Sequence, residues 1–374
     1  MVAVAAVVVT GCGDGFEKNQ AWKAGKMVIH HLSTGRGNCT YIVMPDGTTM
    51  MIDCGDDPVS GAIEHNEMQP KMPNEHCTTA QNIVNYVKSV APAGKEARLD
   101  CFFLTHFHID HCSAFDGIAE QMEIGKIVDR AYPDYPDPEN CEDLSNYQPA
   151  VERLVAEGKS VAEKFRVGAL GQFGTCGETV PAVEIRNLCG AGYCWTGEEE
   201  NNRKIYDADP DDENMNSCGI KISWGDFSYM TCGDIPGGYL APDDMQTAVA
   251  GVCGDCDVVV ACHHGYQDSM LEELCRAADA KAYVIPTREY WHPSGLSVEN
   301  MCNPEFHTAD PMLYCTGLLE SQKENFKELG YADKFTPAGH IVVRVGDNGK
   351  WFRIYVLDSK DENHPVIYKT KKIR

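Results

Sequence analysis

Short apolar runs alternate with segments of helical spacing along this chain, and that alternation predicts an α/β layered fold. Three observations carry the expectation. Leu99–Leu104 and Val258–Ala261 are short and mostly apolar, as buried strands are. Ala80–Val90 places Ile83, Val84, Val87 and Val90 at helical intervals and stops before Pro92. The strand-like runs end in polar segments rich in His, Asp and Gly, which read as loops at strand ends. With 374 residues, of which 43% are hydrophobic, the chain can bury a sizeable core.

Residues 1–26 read as an N-terminal arm. Val2–Val9 is continuously apolar but too short to span a bilayer. It ends in Val9-Thr10-Gly11-Cys12, which resembles a bacterial lipoprotein cleavage box with Cys12 as the lipid-anchored residue, although no basic segment precedes it. A cell-envelope lipoprotein is favoured over a cytoplasmic protein with a short apolar arm. Residues 13–26 look linker-like, and no segment reads as a transmembrane helix. The remainder, residues 27–374, reads as one domain. From Val28 to Asp53 the pattern is strand, glycine turn, strand, Pro45-Asp46-Gly47 turn, strand. Residues 56–76 look like loop, Ala80–Val90 like helix and Leu99–Leu104 like a buried strand. The stretch 131–214 reads as an insertion bordering a cleft. It holds a stiff acidic loop over 132–138, a helix over Asn146–Phe165, and solvated acidic runs at Glu198–Glu200 and Asp207–Glu213. Beyond it, Phe227–Met230, Val258–Ala261 and Ala282–Ile285 read as strands and Leu271–Ala277 as a helix. Gly339–Val345 and Trp351–Leu357 read as a final hairpin, and Lys369–Arg374 as a solvated basic tail.

The chemistry concentrates in Thr105-His106-Phe107-His108-Ile109-Asp110-His111, three imidazoles and a carboxylate at the end of a buried strand. These are ligand types for zinc and similar divalent ions. His106 and His108, two apart on an extended backbone, point the same way. Asp110 and His111 fall on the following turn and can face a second ion.

This His-x-His-x-Asp-His run resembles the signature of the metallo-β-lactamase superfamily, and the resemblance extends over roughly Val28–Leu357. Ile52-Asp53-Cys54-Gly55 is similar to the family's first motif, Thr231-Cys232-Gly233-Asp234 to its fourth, and Ala261-Cys262-His263-His264-Gly265 to its fifth. The resemblance implies an αββα sandwich and a metal-dependent hydrolase. It implies Asp234 as a ligand shared by two ions, and Asp53 as a residue holding the ligand loops from behind. Within the family, Leu32-Ser33-Thr34-Gly35-Arg36-Gly37-Asn38-Cys39, Asn216-Ser217 and His263-His264-Gly265 are similar to the DNA-uptake competence (ComEC-like) hydrolase domains. That branch implies phosphodiester chemistry.

One departure stands out. Most members supply a His between the second and fourth motifs, and here none occurs between His111 and His263. The first metal site is therefore expected to hold His106, His108, Asp234 and Asn216. The second is expected to hold Asp110, His111, Asp234 and His264, with His263 facing substrate oxygen and His292 near the cleft. One or two Zn2+ ions are the default, with Mn2+ or Fe2+ as alternatives. The expected reaction is attack by a metal-bound hydroxide on a phosphodiester or small phosphoester. Asp110 would orient the nucleophile, and His263 or His292 would stabilise or protonate the leaving oxygen. A carboxylic hydrolase acting on a lactone, thioester or β-lactam, and a non-catalytic metal-binding module, are the alternatives.

Charge narrows the substrate. The formal net charge is −24, from 56 acidic and 32 basic residues, which disfavours a long nucleic acid. Eighteen cysteines are present. Those beside the predicted ligands (Cys54, Cys112, Cys232, Cys262) read as small buried thiols. An oxidising compartment would permit pairs among Cys141, Cys176, Cys189 and Cys194. Cys253-Gly-Asp-Cys256 stands alone, without a second pair to build a structural zinc site.

Overall fold

The computed structural model describes residues 22–56, 69–136, 144–207, 212–238, 244–287 and 289–374. Two mixed sheets are stacked face to face with helices outside, an α/β sandwich of the kind the metallo-β-lactamase resemblance implies. The first sheet has the order β17-β16-β15-β1-β2-β3-β4-β5-β6. It comprises β1 (Met27–His31), β2 (Thr40–Val43), β3 (Thr49–Ile52), β4 (Arg98–Phe103), β5 (Glu123–Asp129), β6 (Val161–Lys164), β15 (His340–Gly346), β16 (Trp351–Leu357) and β17 (Val366–Lys369). The second has the order β14-β13-β12-β11-β10-β7-β8-β9. Its strands are β7 (Val183–Gly190), β8 (Tyr193–Trp195), β9 (Asn202–Lys204), β10 (Gly219–Trp224), β11 (Phe227–Thr231), β12 (Val258–Val260), β13 (Ala282–Ile285) and β14 (Met312–Cys315).

Strand alternation divides the apolar residues between three layers. Met27 and Ile29 of β1 point inward and meet Ile220, Ile222 and Trp224 of β10 in the core between the sheets. Val28, one residue out of phase, points outward with Tyr41, Met51 and Phe102. There it packs with Ile83, Val84 and Val87 of α1 (Thr79–Val90), Phe115 and Ile118 of α3 (Phe115–Ala119), and Tyr147, Val151 and Leu154 of α4 (Leu144–Ala156). Beyond the second sheet, Met230, Val259, Tyr283 and Ile285 pack with α5 (Met245–Cys253), α6 (Glu272–Ala278) and α7 (Gly295–Cys302). Thr78 caps α1: its hydroxyl accepts from Gln81 N at 3.1 Å, and Gln81 Oε1 accepts from Thr78 N at 2.9 Å.

The topology decides where chemistry can sit. β3, β4, β5 and β6 run parallel, as do β11, β12, β13 and β14. The loops after β3, β4, β11, β12 and β13 leave their strands at carboxyl ends, where open α/β sheets place ligands.

Several sequence expectations are corrected. The helix expected over Asn146–Phe165 ends at Ala156. Gly158 takes a left-handed φ of +66° and turns the chain, so Val161–Lys164 forms β6 at the edge of the first sheet. Phe165 then stacks on Phe103 at 5.3 Å, in the core between the sheets. Residues 131–214 thus supply α4 and four strands to the two sheets. The hairpin of β15 and β16 is followed by β17, and the backbone of the basic C-terminal run lies along the sheet while Lys371, Lys372 and Arg374 stay exposed, as a solvated basic run would be. Ile373 and Phe352 exchange backbone hydrogen bonds at 2.8 and 2.9 Å, and Lys372 Nζ sits 4.0 Å over the Trp351 ring. Every described cysteine is a free thiol, including Cys189 and Cys194, which face each other across β7 and β8, and the Cys253/Cys256 pair. Burial pushes the Cys253 thiol up to about 11 and that of Cys256 up to about 12. The Val2–Val9 run, Cys12 and Cys141 lie outside the described residues. Among the described residues no helix is long and apolar enough to cross a membrane.

Candidate metal centre

The strand that ends at Phe103 delivers Thr105 and His106 to the edge of the sandwich. Their anchor is Asp53, fully buried just past β3 in a left-handed conformation (φ 56°). Asp53 Oδ1 accepts from Thr105 N at 2.8 Å; its Oδ2 accepts from Thr105 Oγ1 at 2.9 Å and from Asn38 Nδ2 at 3.0 Å. Oδ2 also takes His111 Nδ1 at 2.8 Å. That bond places the proton of His111 on Nδ1 and leaves Nε2 for a cation.

His108 starts α2 (Ile109–Cys112), a single turn that carries Asp110 and His111, both buried. Glycines hold this turn against the first sheet. A Cβ on Gly55 would lie 1.8 Å from the carbonyl carbon of Asp110, and one on Gly37 would lie 2.5 Å from its oxygen. The close approach admits hydrogen bonds from Asn38 N to Asp110 O (2.9 Å) and from Cys54 N to His111 O (2.7 Å).

Two loops of the second sheet complete the centre. Asp234 follows β11 after Gly233, whose φ of +56° brings the turn against Thr105; a Cβ there would lie 2.9 Å from the Thr105 Cβ. Asp234 N donates to Ser217 Oγ at 3.0 Å. After β12, His263 and His264 are both left-handed, with φ of 47° and 52°. Neighbours on a strand diverge, so only one of the two is expected to face the ligand cluster, His264 by resemblance; in this turn they diverge too. His264 is buried and its Nδ1 meets Pro286 O at 2.7 Å, so its Nε2 faces the cluster. His263 turns outward, where its Nδ1 meets Asp268 Oδ1 at 2.9 Å and its Nε2 meets Asn214 Nδ2 at 3.2 Å.

Asp110, His111, Asp234 and His264 converge so that one ligand atom from each lies within 4.8 Å of the others, and all four are buried. His264 Nε2 lies 2.9 Å from Asp110 Oδ2 and 3.2 Å from Asp234 Oδ2, and His111 Nε2 lies 3.3 Å from Asp234 Oδ2. Two carboxylates and two imidazoles converging in a buried space form a donor set suited to a divalent cation. His106 adjoins this group, with Nε2 3.9 Å from Asp234 Oδ2 and 3.1 Å from His108 Nδ1. Electrostatics follow the geometry. Burial alone would depress His264, but Asp234 and Asp110 outweigh it and push it up to about 9. His111 moves well above the imidazole range in the same way, its burial outweighed by Asp234, Asp110 and Asp53. Asp234 is held well below the carboxylate range, because the facing imidazoles overcome its burial.

The remaining predicted residues are less central. Asn216 directs its amide nitrogen toward Glu213 Oε2 at 3.4 Å and Asp212 O at 3.5 Å. His292 is buried, its ring 5.3 Å from that of His264 and 6.2 Å from that of His263. Its Nδ1 accepts from Glu289 N at 3.3 Å.

Sequence reasoning missed Glu213, Arg130 and Asp268. Glu213 closes an acidic run expected to be solvated, yet it is only 9% exposed and forms a bidentate pair with Arg130. A lone arginine directly after the buried run Ile127–Asp129, in so acidic a chain, was the signal available for it.

Comparison with known proteins agrees with this placement. The family model described as "Metallo-beta-lactamase superfamily" matches residues 32–164, which hold Asp53 and the whole His106–His111 run. No curated protein matches the sequence. Among solved structures, the metallo-beta-lactamase fold protein YhfI from Bacillus subtilis is similar at 9% identity and a TM-score of 0.41, over 76% of this chain and 96% of that one. Zn(2+)-bound PqqB from Methylobacterium extorquens is similar at 11% identity and a TM-score of 0.41, over 85% and 99%. Unliganded yeast PDE1 is similar at 9% identity and a TM-score of 0.41, over 86% and 99%. At such scores these likenesses carry no functional argument. The family match spans residues 32–164, the two sheets form a sandwich of the metallo-beta-lactamase kind, and the Asp/His cluster could hold a metal ion.

Proposed function

We infer that this chain is a metal-dependent hydrolase of the metallo-beta-lactamase superfamily, acting on a phosphodiester or small phosphoester, and that it stands near the ComEC-like branch. The observation that carries the reading is the convergence of Asp110, His111, Asp234 and His264 from three separate strand ends into one buried donor set. Cations bound there, with zinc the best match to imidazole and carboxylate, would supply an activated water and neutralise charge on substrate oxygens.

The residues divide the work. Asp53 and the Pro286 carbonyl fix His111 and His264 by their Nδ1 atoms, so that both present Nε2. Asp234 stands between His106, His111 and His264, the position for a carboxylate shared by two sites. Asp110, whose Oδ2 lies 2.9 Å from His264 Nε2 and 3.6 Å from His111 Nε2, is placed to ligate and to orient a nucleophile. His263, held at Nδ1 by Asp268, lies at the margin of the cluster beside Asn214 and is suited to hold a substrate or leaving-group oxygen. His292, its ring 5.3 Å from that of His264 and 6.2 Å from that of His263, is near enough to the cleft to serve a leaving-group oxygen. The −24 formal charge favours a small phosphoester over a long polyanion.

The test is a substrate panel on metal-loaded protein. Turnover of bis-nitrophenyl phosphate, with a homoserine lactone and nitrocefin untouched, is the expected result. Turnover of the lactone or nitrocefin with an inert phosphodiester would replace this reading with a carboxylic hydrolase. One tightly held ion and no turnover of any compound would replace it with a non-catalytic metal-binding module.

A further inference from the structure

Glu213 ties the second sheet's loops to the ligand run of the first. It opens a 3-10 turn, Glu213–Asn216, in the stretch where the family's missing imidazole would be sought. Glu213 Oε1 accepts from the backbone N–H of Phe107 at 2.9 Å and from Arg130 Nε at 2.7 Å. Oε2 accepts from Arg130 Nη2 at 2.5 Å and from Asn216 Nδ2 at 3.4 Å. Arg130 also lays its guanidinium 4.4 Å over the Phe107 ring. Phe107 is the residue between His106 and His108, so both its backbone and its ring are held by the Glu213–Arg130 pair. A bidentate arginine–carboxylate fork has fixed planar geometry, and this one is largely shielded from water.

The imidazoles flanking Phe107 are set for a shared cation. His106 Nε2 and His108 Nδ1 lie 3.1 Å apart. Two zinc–nitrogen bonds of about 2.0–2.1 Å at a tetrahedral angle span roughly that distance. In the absence of an imidazole between His111 and His263, nothing from that stretch can tie the loop through a His–metal bond.

We propose that Glu213, clamped by Arg130, is the positioning residue that fixes the His106–His108 pair for the first of two cations. This rests on the reading that the centre binds metal. Glu213 holds the loop through the peptide between the two ligands, and Arg130 keeps the carboxylate from swinging away. His111, His264 and Asp234 have anchors of their own, in Asp53, the Pro286 carbonyl and Ser217, so loss of the clamp is expected to weaken the first site more than the second.

The experiment compares wild type, Glu213→Gln and Arg130→Lys by metal content after equilibrium dialysis and by the Co2+ visible spectrum, with thermal unfolding of the metal-free proteins alongside. Gln keeps the size and an acceptor for Phe107 N–H but loses the ionic fork; Lys keeps the charge but not the fork. The expected result is two equivalents in wild type. In each variant one equivalent stays tight, the other weakens by about 10–100-fold, and the Co2+ bands of the weakened site change. Both equivalents bound with wild-type affinity overturns the proposal. So does equal loss of both alongside a lowered unfolding temperature, the mark of a purely architectural ion pair. A wild type that retains a single equivalent overturns the proposal and leaves the hydrolase reading standing. A wild type that retains none overturns both.

Discussion

Among the described residues two groups of histidines are buried, and burial depresses both; they differ in whether facing carboxylates outweigh it. In the candidate metal centre, His111 and His264 face Asp110, Asp234 and Asp53, and the carboxylates lift both above the ordinary imidazole range despite their burial. Across the first sheet, His30 of β1 meets Tyr86 OH at 3.0 Å, and His340 of β15 packs on the Tyr86 ring at 4.7 Å. His31 meets Thr40 Oγ1 at 3.0 Å and packs against Tyr229 at 5.7 Å. These imidazoles face hydroxyls and aromatic rings, and burial depresses His30 and His31 to about 3. His340 likewise falls well below its usual range, through burial and the neighbouring His364 and His30. Buried histidine is therefore no mark of a ligand by itself. What separates the centre is carboxylates arriving from other strands with the imidazole Nε2 atoms turned toward them.

The sharpest way to break the comparison is to remove a ligand. Asp110→Ala or His111→Ala is expected to lower turnover by at least about 10²–10³-fold, the scale of losing one preorganised charge partner. Either variant should also lose cation in elemental analysis. Wild-type turnover in either would place the chemistry elsewhere. A smaller effect follows from Asp53→Asn, which keeps the shape around Thr105 and Asn38 but weakens the hold on His111 Nδ1. Metal affinity should fall by roughly 10–100-fold, measured by competition with a chelating dye.

The pH dependence of stability should carry opposite signs for His264 and for the packing histidines, whereas His106, lowered by burial and by His111, titrates in the same sense as the latter. In metal-free protein the folded pKa of His264, about 9, lies above the unfolded value of 6.5. Its stabilising contribution is complete below pH 6.5 and is lost as pH rises through about 9. Bound cation displaces that proton, so the alkaline loss should vanish in metal-loaded protein. His30 and His31 titrate near 3 when folded and 6.5 when unfolded. Their contribution is present above pH 6.5 and drains away toward about 3, with or without metal. Thermal unfolding from pH 4 to 9.5, with and without chelator, checks both limbs at roughly 1–2 °C per kcal/mol lost.

Much of the centre was legible because its ligands sit in one run and at strand ends. Leu99–Leu104 reads as a buried strand from its apolar content, and β4 occupies all but its last residue. Asp53 closes an apolar run and Asp234 follows one after three residues, but their roles came from the family resemblance. What the sequence could not show was partnership across distance. Glu213 looked solvated because its neighbours in sequence are acidic, whereas the cation that neutralises it, Arg130, lies 83 residues away. The helix expected through Phe165 failed for a local reason, since Gly158 breaks it and the aromatic then serves a different core. The αββα layering was supplied by family resemblance, because periodicity gives elements and not their order in a sheet.

The smallest expected effect is the most discriminating for the comparison. His30→Phe replaces one buried ring with another of similar size. It forfeits the bond to Tyr86 OH and removes an Nε2 that has no hydrogen-bond partner among the described residues. The lost bond and the removed orphan are each worth about 1 kcal/mol and act in opposite directions, so stability at neutral pH should change by less than about 1 kcal/mol. Phenylalanine cannot take up a proton, so the acid limb of unfolding should move to lower pH. Metal content and turnover should match wild type, because the proximity that matters is to carboxylates and His30 contacts Tyr86 and Tyr41 instead. A variant that lost metal would show that the two clusters communicate through the first sheet, and the contrast between ligand and packing histidines would have to be redrawn.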